Sequence, residues 1–158
     1  MVLLYSCSVD AQIVEPELRD EAIIENAVFK VWYSEVKEQP TKLVYTSTNR
    51  VKNVDRGSMN FYTESDVVTS NNADYYRNVW DKGHLAPAAT YSDSMENLKQ
   101  TFSFLNCALQ DQYLNRGEWR LLEEQERVWD DTEDLTITVT LEWNEGFQIL
   151  PTNGHVPT

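Results

Sequence analysis

The chain has 158 residues and a formal net charge of −13, and 41% of its residues are apolar, 25% charged and 11% aromatic. This length fits a single domain with a sizeable core, and this composition excludes collagen-like, low-complexity and disordered proteins. No apolar run of 18 residues occurs, which excludes a membrane-spanning helix, and two cysteines are too few for a disulfide scaffold.

The acidic N-terminal segment, residues 1–27, begins with a stretch that allows two interpretations. Residues 1–11 are either the remnant of an export signal with a short apolar core and no basic start, or simply a first β-strand or a loose N-terminus. A secreted or periplasmic location and a cytoplasmic one therefore both stay open. A short helix is expected near Glu21–Asn26.

The next segment is predicted to consist of strands and turns. β-Branched and aromatic residues predict strands over Val28–Tyr33 and Lys42–Thr48, joined by a turn at 38–41. A second turn is indicated at 55–58, and residues 62–79 show no period, which predicts a long surface loop.

The middle of the chain is predicted to bend after a strand. Residues 80–91 contain a glycine and a proline between apolar residues, which favours the end of a strand and a bend. Ser92–Asn97 is expected to form a helical turn with its N-cap at Ser92 or Asp93. Thr101–Leu105 is expected to be a strand.

An amphipathic pattern predicts the longest helix over Leu114–Trp129, with Asn115 as its N-cap. Alternation of threonine with apolar residues predicts a half-buried strand over Thr136–Leu141, and a short strand is expected at Phe147–Leu150. With no repeat and no linker, residues 1–158 are interpreted as one α+β domain with a mostly antiparallel sheet and one long helix.

The negative charge lies mainly at the two ends of the chain. Residues 1–40 and 128–158 carry eleven of the thirteen excess negative charges, and the middle of the chain is nearly balanced. The net charge alone argues against a nucleic-acid ligand. Its distribution leaves room for an anionic ligand at the middle of the chain.

One of the two histidines has a setting that suits general-base chemistry. His84 follows a glycine in the predicted bend, and an imidazole with an ordinary pKa is mostly neutral at pH 7. The alternative is a purely structural histidine in the bend. His155 is interpreted as an inert tail residue, and Cys107 as a small buried hydrophobe.

Three residues of the predicted helix share one side. Asn115, Glu123 and Arg127 are spaced by eight and four residues, so all three can face one site. An amide oxygen and a carboxylate suit a hard cation such as Mg²⁺, and an arginine offsets negative charge, so this set supports phosphodiester hydrolysis. The alternatives are a plain N-cap for Asn115 and a solvated ion pair for the other two.

These residues lie in strings that resemble a known family. Residues 81–89 (DKGHLAPAA) resemble the D-R-G-H-x-A-P-A-A signature of the DNA/RNA non-specific endonucleases, which are ββα-metal (His-Me finger) enzymes. This family includes secreted sugar-non-specific bacterial nucleases and endonuclease G. Three further stretches resemble the family in the family's order: residues 72–75 (NADY), 101–106 (TFSFLN) and 114–123 (LNRGEWRLLE). The resemblance implies a catalytic core over residues 43–127.

The resemblance also implies a role for each matching residue. His84 matches the family's general base, Asn115 its direct Mg²⁺ ligand, and Glu123 the carboxylate that holds metal-bound water. Asn106 matches an asparagine that supports the site. Arg127 matches a helix arginine that stabilises the transition state.

Further basic residues are assigned with alternatives. Arg56 is the best match for a second family arginine, and Arg50 is its rival. Lys82 replaces the arginine of the signature, which keeps the charge but loses the bidentate fork. Lys82 and Arg116 are the candidate substrate contacts. Three aromatic residues, Tyr75, Tyr76 and Trp80, either stack on bases or pack in the fold.

The expected function is metal-dependent cleavage of DNA and RNA with 5′-phosphate products, using Mg²⁺ or alternatively Mn²⁺. The competing hypothesis is an inactive ββα module that binds nucleic acid or a protein. Residues 150–158 resemble a segment that leads into another strand in the family, so the fold is expected to lack the family's last strand. The oligomeric state stays open, with a homodimer as one alternative.

Overall fold

Two antiparallel β-sheets and one long, bent helix form the fold of residues 17–158, the range that the computed structural model describes. The predictions for residues 1–11 lie outside this range. The strands are β1 (Ala22–Glu25), β2 (Phe29–Ser34), β3 (Gln39–Ser47), β4 (Trp80–His84), β5 (Cys107–Asp111) and β6 (Leu135–Thr140). The larger sheet has the order β1-β2-β3-β6, and the smaller sheet pairs β4 with β5.

The helices are α1 (Met95–Thr101), α2 (Gln112–Leu114) and α3 (Arg120–Trp129). A π-helical stretch, Asn115–Trp119, joins α2 to α3, and the backbone leaves helical geometry at Gly117. β5 leads directly into α2, so β4, β5 and the long helix form a ββα unit. The predicted α+β class with a ββα unit is therefore confirmed.

The strands predicted over Val28–Tyr33, Lys42–Thr48 and Thr136–Leu141 are confirmed with small shifts as β2, β3 and β6. Apolar residues of β6 are partly buried and its threonines are exposed, as the alternation predicts. The turn lies at 35–38 rather than 38–41, because Pro40 fits inside β3 opposite a register shift between Trp32 and Tyr33.

Four local predictions are wrong. The helix expected near Glu21–Asn26 is the edge strand β1, because pairing with β2 overrides the local sequence. α1 begins later than expected, since Ser94 is the N-cap and its hydroxyl accepts from the Asn97 amide. Thr101–Leu105 holds the end of α1 and the start of a 3₁₀ turn instead of a strand. Phe147–Leu150 contributes only an isolated bridge from Ile149 to His155.

Two further segments carry more structure than expected. The predicted loop at 62–79 contains a 3₁₀ turn at Asn72–Tyr75, whose Asp74 is fully buried. The long helix begins at Gln112, because the Asp111 carboxylate caps it by accepting from two backbone amides. Asn115 therefore lies inside the helix and is not its N-cap.

The core lies between the larger sheet and the bend that follows β4. Its buried members include Val31, Tyr33, Leu43, Leu85 and Tyr91. The hydroxyl of Tyr45 donates to Glu126 of α3 at 2.6 Å, and Ser47 donates to Asp130, so two hydroxyls of β3 fix the end of the helix. In residues 17–158, no helix has the length and apolar character needed to cross a membrane.

Candidate active site

A cleft of about 920 Å³ lies between the loop after β3, the strand β4 and the long helix. Five of the eight residues that the sequence predicts for the site line this cleft: His84, Asn115, Glu123, Arg56 and Lys82. They come from three segments that are separated by up to 67 positions along the chain. The fold therefore brings the main predicted site residues to one place.

His84 ends β4, where it pairs with Cys107 of β5. Its imidazole packs against the rings of Phe61 and Phe102, with centroids 4.6 and 4.9 Å away. Nε2 is buried and has no hydrogen-bond partner among the described residues. Burial, with a smaller effect from the charge of Arg56, lowers the pKa of His84 to about 3. The ring is therefore neutral at pH 7, the form that can accept a proton.

The side-chain amide of Asn115 is held in place by the carboxylate of Asp81. Its Nδ2 donates to Oδ2 of Asp81 at 2.9 Å, and Arg116 donates to both oxygens of Asp81 at 2.7 Å. The Arg116 hydrogen bond is the main cause that lowers the pKa of Asp81. Because the amide nitrogen is engaged, Oδ1 of Asn115 is the atom left for a ligand. Arg116 is exposed and paired with Asp81, and it is not among the residues lining the cleft.

Glu123 faces the same cleft from α3. Removal from water raises its pKa to about 7, while the charge of Arg127 acts in the opposite direction. Trp119 lies one turn earlier, and its indole N–H donates to the backbone carbonyl of His84 at 3.1 Å. This contact joins the helix that carries Asn115 and Glu123 to the bend that carries His84.

Arg127 lines a second, adjacent cleft rather than the first. Its Nη1 is buried and has no hydrogen-bond partner in residues 17–158. Arg50, the rival of Arg56, lines the second cleft as well and pairs with Asp93 at 3.1 Å. Of the two rivals, only Arg56 lines the cleft of His84, where its guanidinium lies 5.4 Å from the centre of the Phe102 ring.

Lys82 enters the cleft beside three aromatic rings. Its ammonium lies 5.8 to 5.9 Å from the ring centres of Phe61, Tyr75 and Phe104, and it donates to the side-chain oxygen of Asn72. Tyr75 is partly buried here, and Trp80 also lines the cleft. Tyr76 is 67% exposed.

Asn106 is fully buried beneath the bend. Its side-chain oxygen accepts from the backbone of Ala86, and its nitrogen donates to the carbonyls of Ala86 and Thr101. These contacts fix the backbone just after His84. The geometry suits a positioning role and leaves no contact with a substrate.

Cys107 lies next to His84 in the sheet and is fully buried, as predicted. Its Sγ lies 3.2 Å from the hydroxyl of Tyr75. Burial raises the pKa of this thiol to about 12, so it stays protonated at neutral pH. His155 lies in the C-terminal segment against Phe147 and is not among the residues lining the cleft.

The oxygen atoms in the cleft fit a hard divalent cation that keeps most of its water. Within the described range, Oδ1 of Asn115 has no hydrogen-bond donor, and the Glu123 carboxylate lines the same cleft. The same range holds no group of three or more His, Cys, Asp and Glu that could enclose a metal. Mg²⁺ needs only one or two protein ligands, so the available atoms suit it.

Sequence reasoning missed the role of several supporting residues. Phe61 and Phe102 enclose the His84 ring, but they lie in segments with no period that points to the histidine. Asp81 lies in the signature string, but no pattern in that string predicts its hydrogen bond to Asn115. Trp119 follows Asn115 by four residues on the same helix, so the shared helix face is a signal that could have identified it.

Comparisons with known proteins bear on the family and on the fold. A model of the family described as DNA/RNA non-specific endonuclease matches residues 12–142. Mitochondrial endonuclease G of Bos taurus is 36% identical over 75 residues, 46% of this chain and 25% of that protein. Human mitochondrial endonuclease G is 41% identical over 56 residues, 35% of this chain and 19% of that protein. The mitochondrial nuclease EXOG of Danio rerio is 34% identical over 58 residues, 37% of this chain and 17% of that protein.

The chain thus spans a quarter or less of the length of these curated relatives. A solved structure, the EndoG/EndoGI complex from a study of EndoG inhibition, matches with a TM-score of 0.75 and 23% identity. This match covers 86% of the present chain and 64% of that chain, and it supports the fold.

Proposed function

The chain belongs to the DNA/RNA non-specific endonuclease family, and from this premise we propose that it hydrolyses phosphodiester bonds of DNA and RNA in a metal-dependent reaction. One observation carries the proposal. The unpartnered Nε2 of a neutral His84 lies in the same cleft as the free amide oxygen of Asn115 and the carboxylate of Glu123.

His84 is the general base of the proposed reaction. Nε2 takes a proton from a water molecule, whose oxygen attacks phosphorus while the bond from phosphorus to the 3′ oxygen breaks. The leaving 3′ oxygen takes up a proton from solvent water, so the products are a 5′-phosphate and a 3′-hydroxyl. The bound phosphate brings negative charge next to the ring and raises the pKa of His84 at the stage when the ring holds the proton.

The other residues of the cleft bind and orient. Asn115 and Glu123 would hold the cation, with Asp81 fixing the Asn115 amide. A bound Mg²⁺, or alternatively Mn²⁺, supplies charge stabilisation at the phosphate and the leaving oxygen. Arg56 and Lys82 add positive charge beside the scissile phosphate. Every nucleotide carries that phosphate, so sequence specificity is expected to be low.

The inactive-module hypothesis is not favoured, because the base, the amide and the carboxylate share one cleft. The test is digestion of plasmid DNA and total RNA by the wild type and by His84→Ala, with Mg²⁺ and with EDTA. We expect cleavage of both substrates, loss of cleavage in EDTA, and a rate at least ~100-fold lower for His84→Ala. Circular dichroism checks that both proteins are folded.

Arg120→Gln is the matched control, because this helix arginine is exposed and its side chain pairs within its own helix, with Glu124 and with the backbone carbonyl of Arg116. It should cleave at the wild-type rate. A wild-type rate for His84→Ala would remove His84 as the base. Absence of any cleavage by the folded wild type would replace the nuclease with the binding module.

A further inference from the structure

A second cleft, of about 310 Å³, adjoins the first. It lies between the end of β3, the bend after β4 and the C-terminal end of α3, and Lys52 and Ala89 line both clefts. Among its lining residues, Arg127 matches the family's transition-state arginine, and the others have no role in the proposed hydrolysis. A strand of nucleic acid in the first cleft would pass directly beside this second cleft.

Three buried polar atoms that have no hydrogen-bond partner within residues 17–158 belong to residues that line this second cleft. They are Nε of Arg50, Nη1 of Arg127 and Oγ1 of Thr90. Thr90 is only 4% exposed, so its hydroxyl has little access to bulk water. Buried hydrogen-bonding groups normally have partners. Three unpaired groups around one cleft therefore indicate a ligand that accepts hydrogen bonds.

Charged groups of both signs surround the second cleft, and the unpaired charged atoms among the described residues there belong to two arginines. The positive side chains are Arg50, Lys52 and Arg127, and the carboxylates that line the cleft are Asp130 and Asp131. Both carboxylates leave the unpaired guanidinium nitrogens without a partner: Asp130 accepts instead from Ser47, and Asp131 is exposed.

The guanidinium group of Arg50 already has partners on its other side. Its Nη1 pairs with Asp93, and its guanidinium lies 5.1 Å from the ring centre of Tyr91. These contacts hold Arg50 in place, with Nε left unpaired. A tetrahedral oxyanion with several acceptor oxygens matches two guanidinium groups and a hydroxyl.

We propose that the second cleft binds the phosphate of the nucleotide next to the scissile one. This inference rests on the proposed function and deepens it: the substrate is a strand with a second phosphate beside the cleaved bond. An added phosphate should therefore be recognised through Arg50, Arg127 and Thr90.

Three dinucleotides test the inference: dTpdT, pdTpdT with a 5′-phosphate, and dTpdTp with a 3′-phosphate. We expect one phosphorylated form to be cleaved by the wild type with a kcat/KM at least about tenfold above that of dTpdT, since hydrogen bonds to charged groups are strong. Thr90→Val and Arg50→Gln should lose most of this gain, with kcat/KM on dTpdT unchanged within about twofold.

Thr90→Val serves as a check on Arg50→Gln. Arg50→Gln also loses the Asp93 contact, so a fall in its thermal stability is expected, whereas Thr90→Val keeps the side-chain shape. Arg120→Gln, outside both clefts, should keep the full gain.

Equal kcat/KM for all three dinucleotides would overturn the subsite. So would a gain that Thr90→Val retains, or cleavage of plasmid DNA without cleavage of either phosphorylated dinucleotide. Failure of folded wild type to cleave plasmid DNA as well would instead overturn the proposed nuclease function.

Discussion

At the scale of single residues, Asp81 connects an exposed arginine to the amide that is proposed to bind the metal. It accepts from Asn115 through one oxygen, and Arg116 donates to both of its oxygens. An exposed ion pair contributes little to stability. The two parallel hydrogen bonds nevertheless fix the carboxylate plane and therefore the direction of the Asn115 amide.

Arg116→Ala is expected to weaken metal binding without affecting substrate affinity. Removing a residue that orients a ligand typically costs roughly tenfold in metal affinity. Mn²⁺ binding to the protein alone, measured by electron paramagnetic resonance, should weaken by about that factor. KM for DNA at saturating metal should stay the same. Arg120→Ala is the control, and a raised KM with unchanged Mn²⁺ affinity would return Arg116 to substrate binding.

Short sequence motifs were sufficient to predict five residues that the fold brings into one cleft. The base, the amide and the carboxylate each lie in such a motif. The same motifs could not separate the first cleft from the second. Arg127 lies one helical turn after Glu123, yet it lines the neighbouring cleft. That division depends on how α3 packs on β3, which no local pattern encodes.

At the scale of elements, the close approach of β4 and β5 requires glycine at position 83. A Cβ atom there would lie 2.2 Å from Oε1 and 2.8 Å from Cβ of Gln110. The Oε1 contact could be relieved by side-chain rotation, but the Cβ contact could not. An added methyl group would therefore push the two strands apart beside His84.

Gly83→Ala is expected to destabilise the protein by about 1–3 kcal/mol, the usual cost of overpacking, and to slow cleavage. Chemical denaturation and plasmid digestion measure the two effects. Gly83→Ala with Gln110→Ala should recover part of the stability, because only the Cβ contact remains. Wild-type stability for Gly83→Ala would show that the strands separate at no cost.

Elements with a strong internal pattern could be predicted, and elements defined by tertiary contacts could not. β6 alternates strictly between threonine and apolar residues, and its predicted bounds differ from the observed bounds by one residue. β1 has only four residues, and only its pairing with β2 makes it a strand. The long helix was expected to start at Leu114, but the Asp111 cap extends it and Gly117 bends it.

At the scale of the whole molecule, Glu35 joins three segments that are distant in sequence. Its carboxylate is buried and accepts from Arg19, through backbone and side chain, and from the backbone of Val68. The side-chain hydrogen bond from Arg19 is the main cause that lowers the pKa of Glu35 to about 2, against the effect of burial. The folded protein therefore binds this proton less readily than the unfolded chain.

Stability from Glu35 should be fully present above its ordinary pKa of 4.5 and lost as the pH falls towards about 2. Urea denaturation between pH 2 and pH 6 measures this. Compared with the wild type, Glu35→Gln should be less stable at pH 6, and the difference should shrink on acidification. Glu25→Gln, whose side chain is 64% exposed, is the control. Parallel curves for the wild type and Glu35→Gln would contradict the assignment.

The lining of the main cleft is less negative than the molecule as a whole. The chain carries −13 in total, whereas three cations (Lys52, Arg56 and Lys82) and three carboxylates (Asp55, Asp81 and Glu123) line the main cleft and balance each other. At about 10 mM salt, screening extends over roughly 30 Å, and DNA senses the net repulsion; at about 100 mM, it extends over roughly 10 Å, and the cleft dominates.

The kcat/KM for plasmid DNA should therefore rise with salt, pass through a maximum and fall at high salt. Initial rates at low substrate concentration over about 10–500 mM NaCl measure it at constant Mg²⁺. A monotonic decrease, as expected of a basic nuclease, would contradict this picture.

The thiol of Cys107 gives the molecule an internal reporter of strand opening. A protonated, fully buried sulfur cannot be alkylated until β5 separates from its neighbours. Since Cys107 pairs with His84, any opening that exposes this sulfur also dismantles the bend that carries the base. In a Cys7→Ser background, the rate of thiol labelling would measure how often β5 opens. An added ligand that slows labelling would be one that stabilises the closed form of this strand.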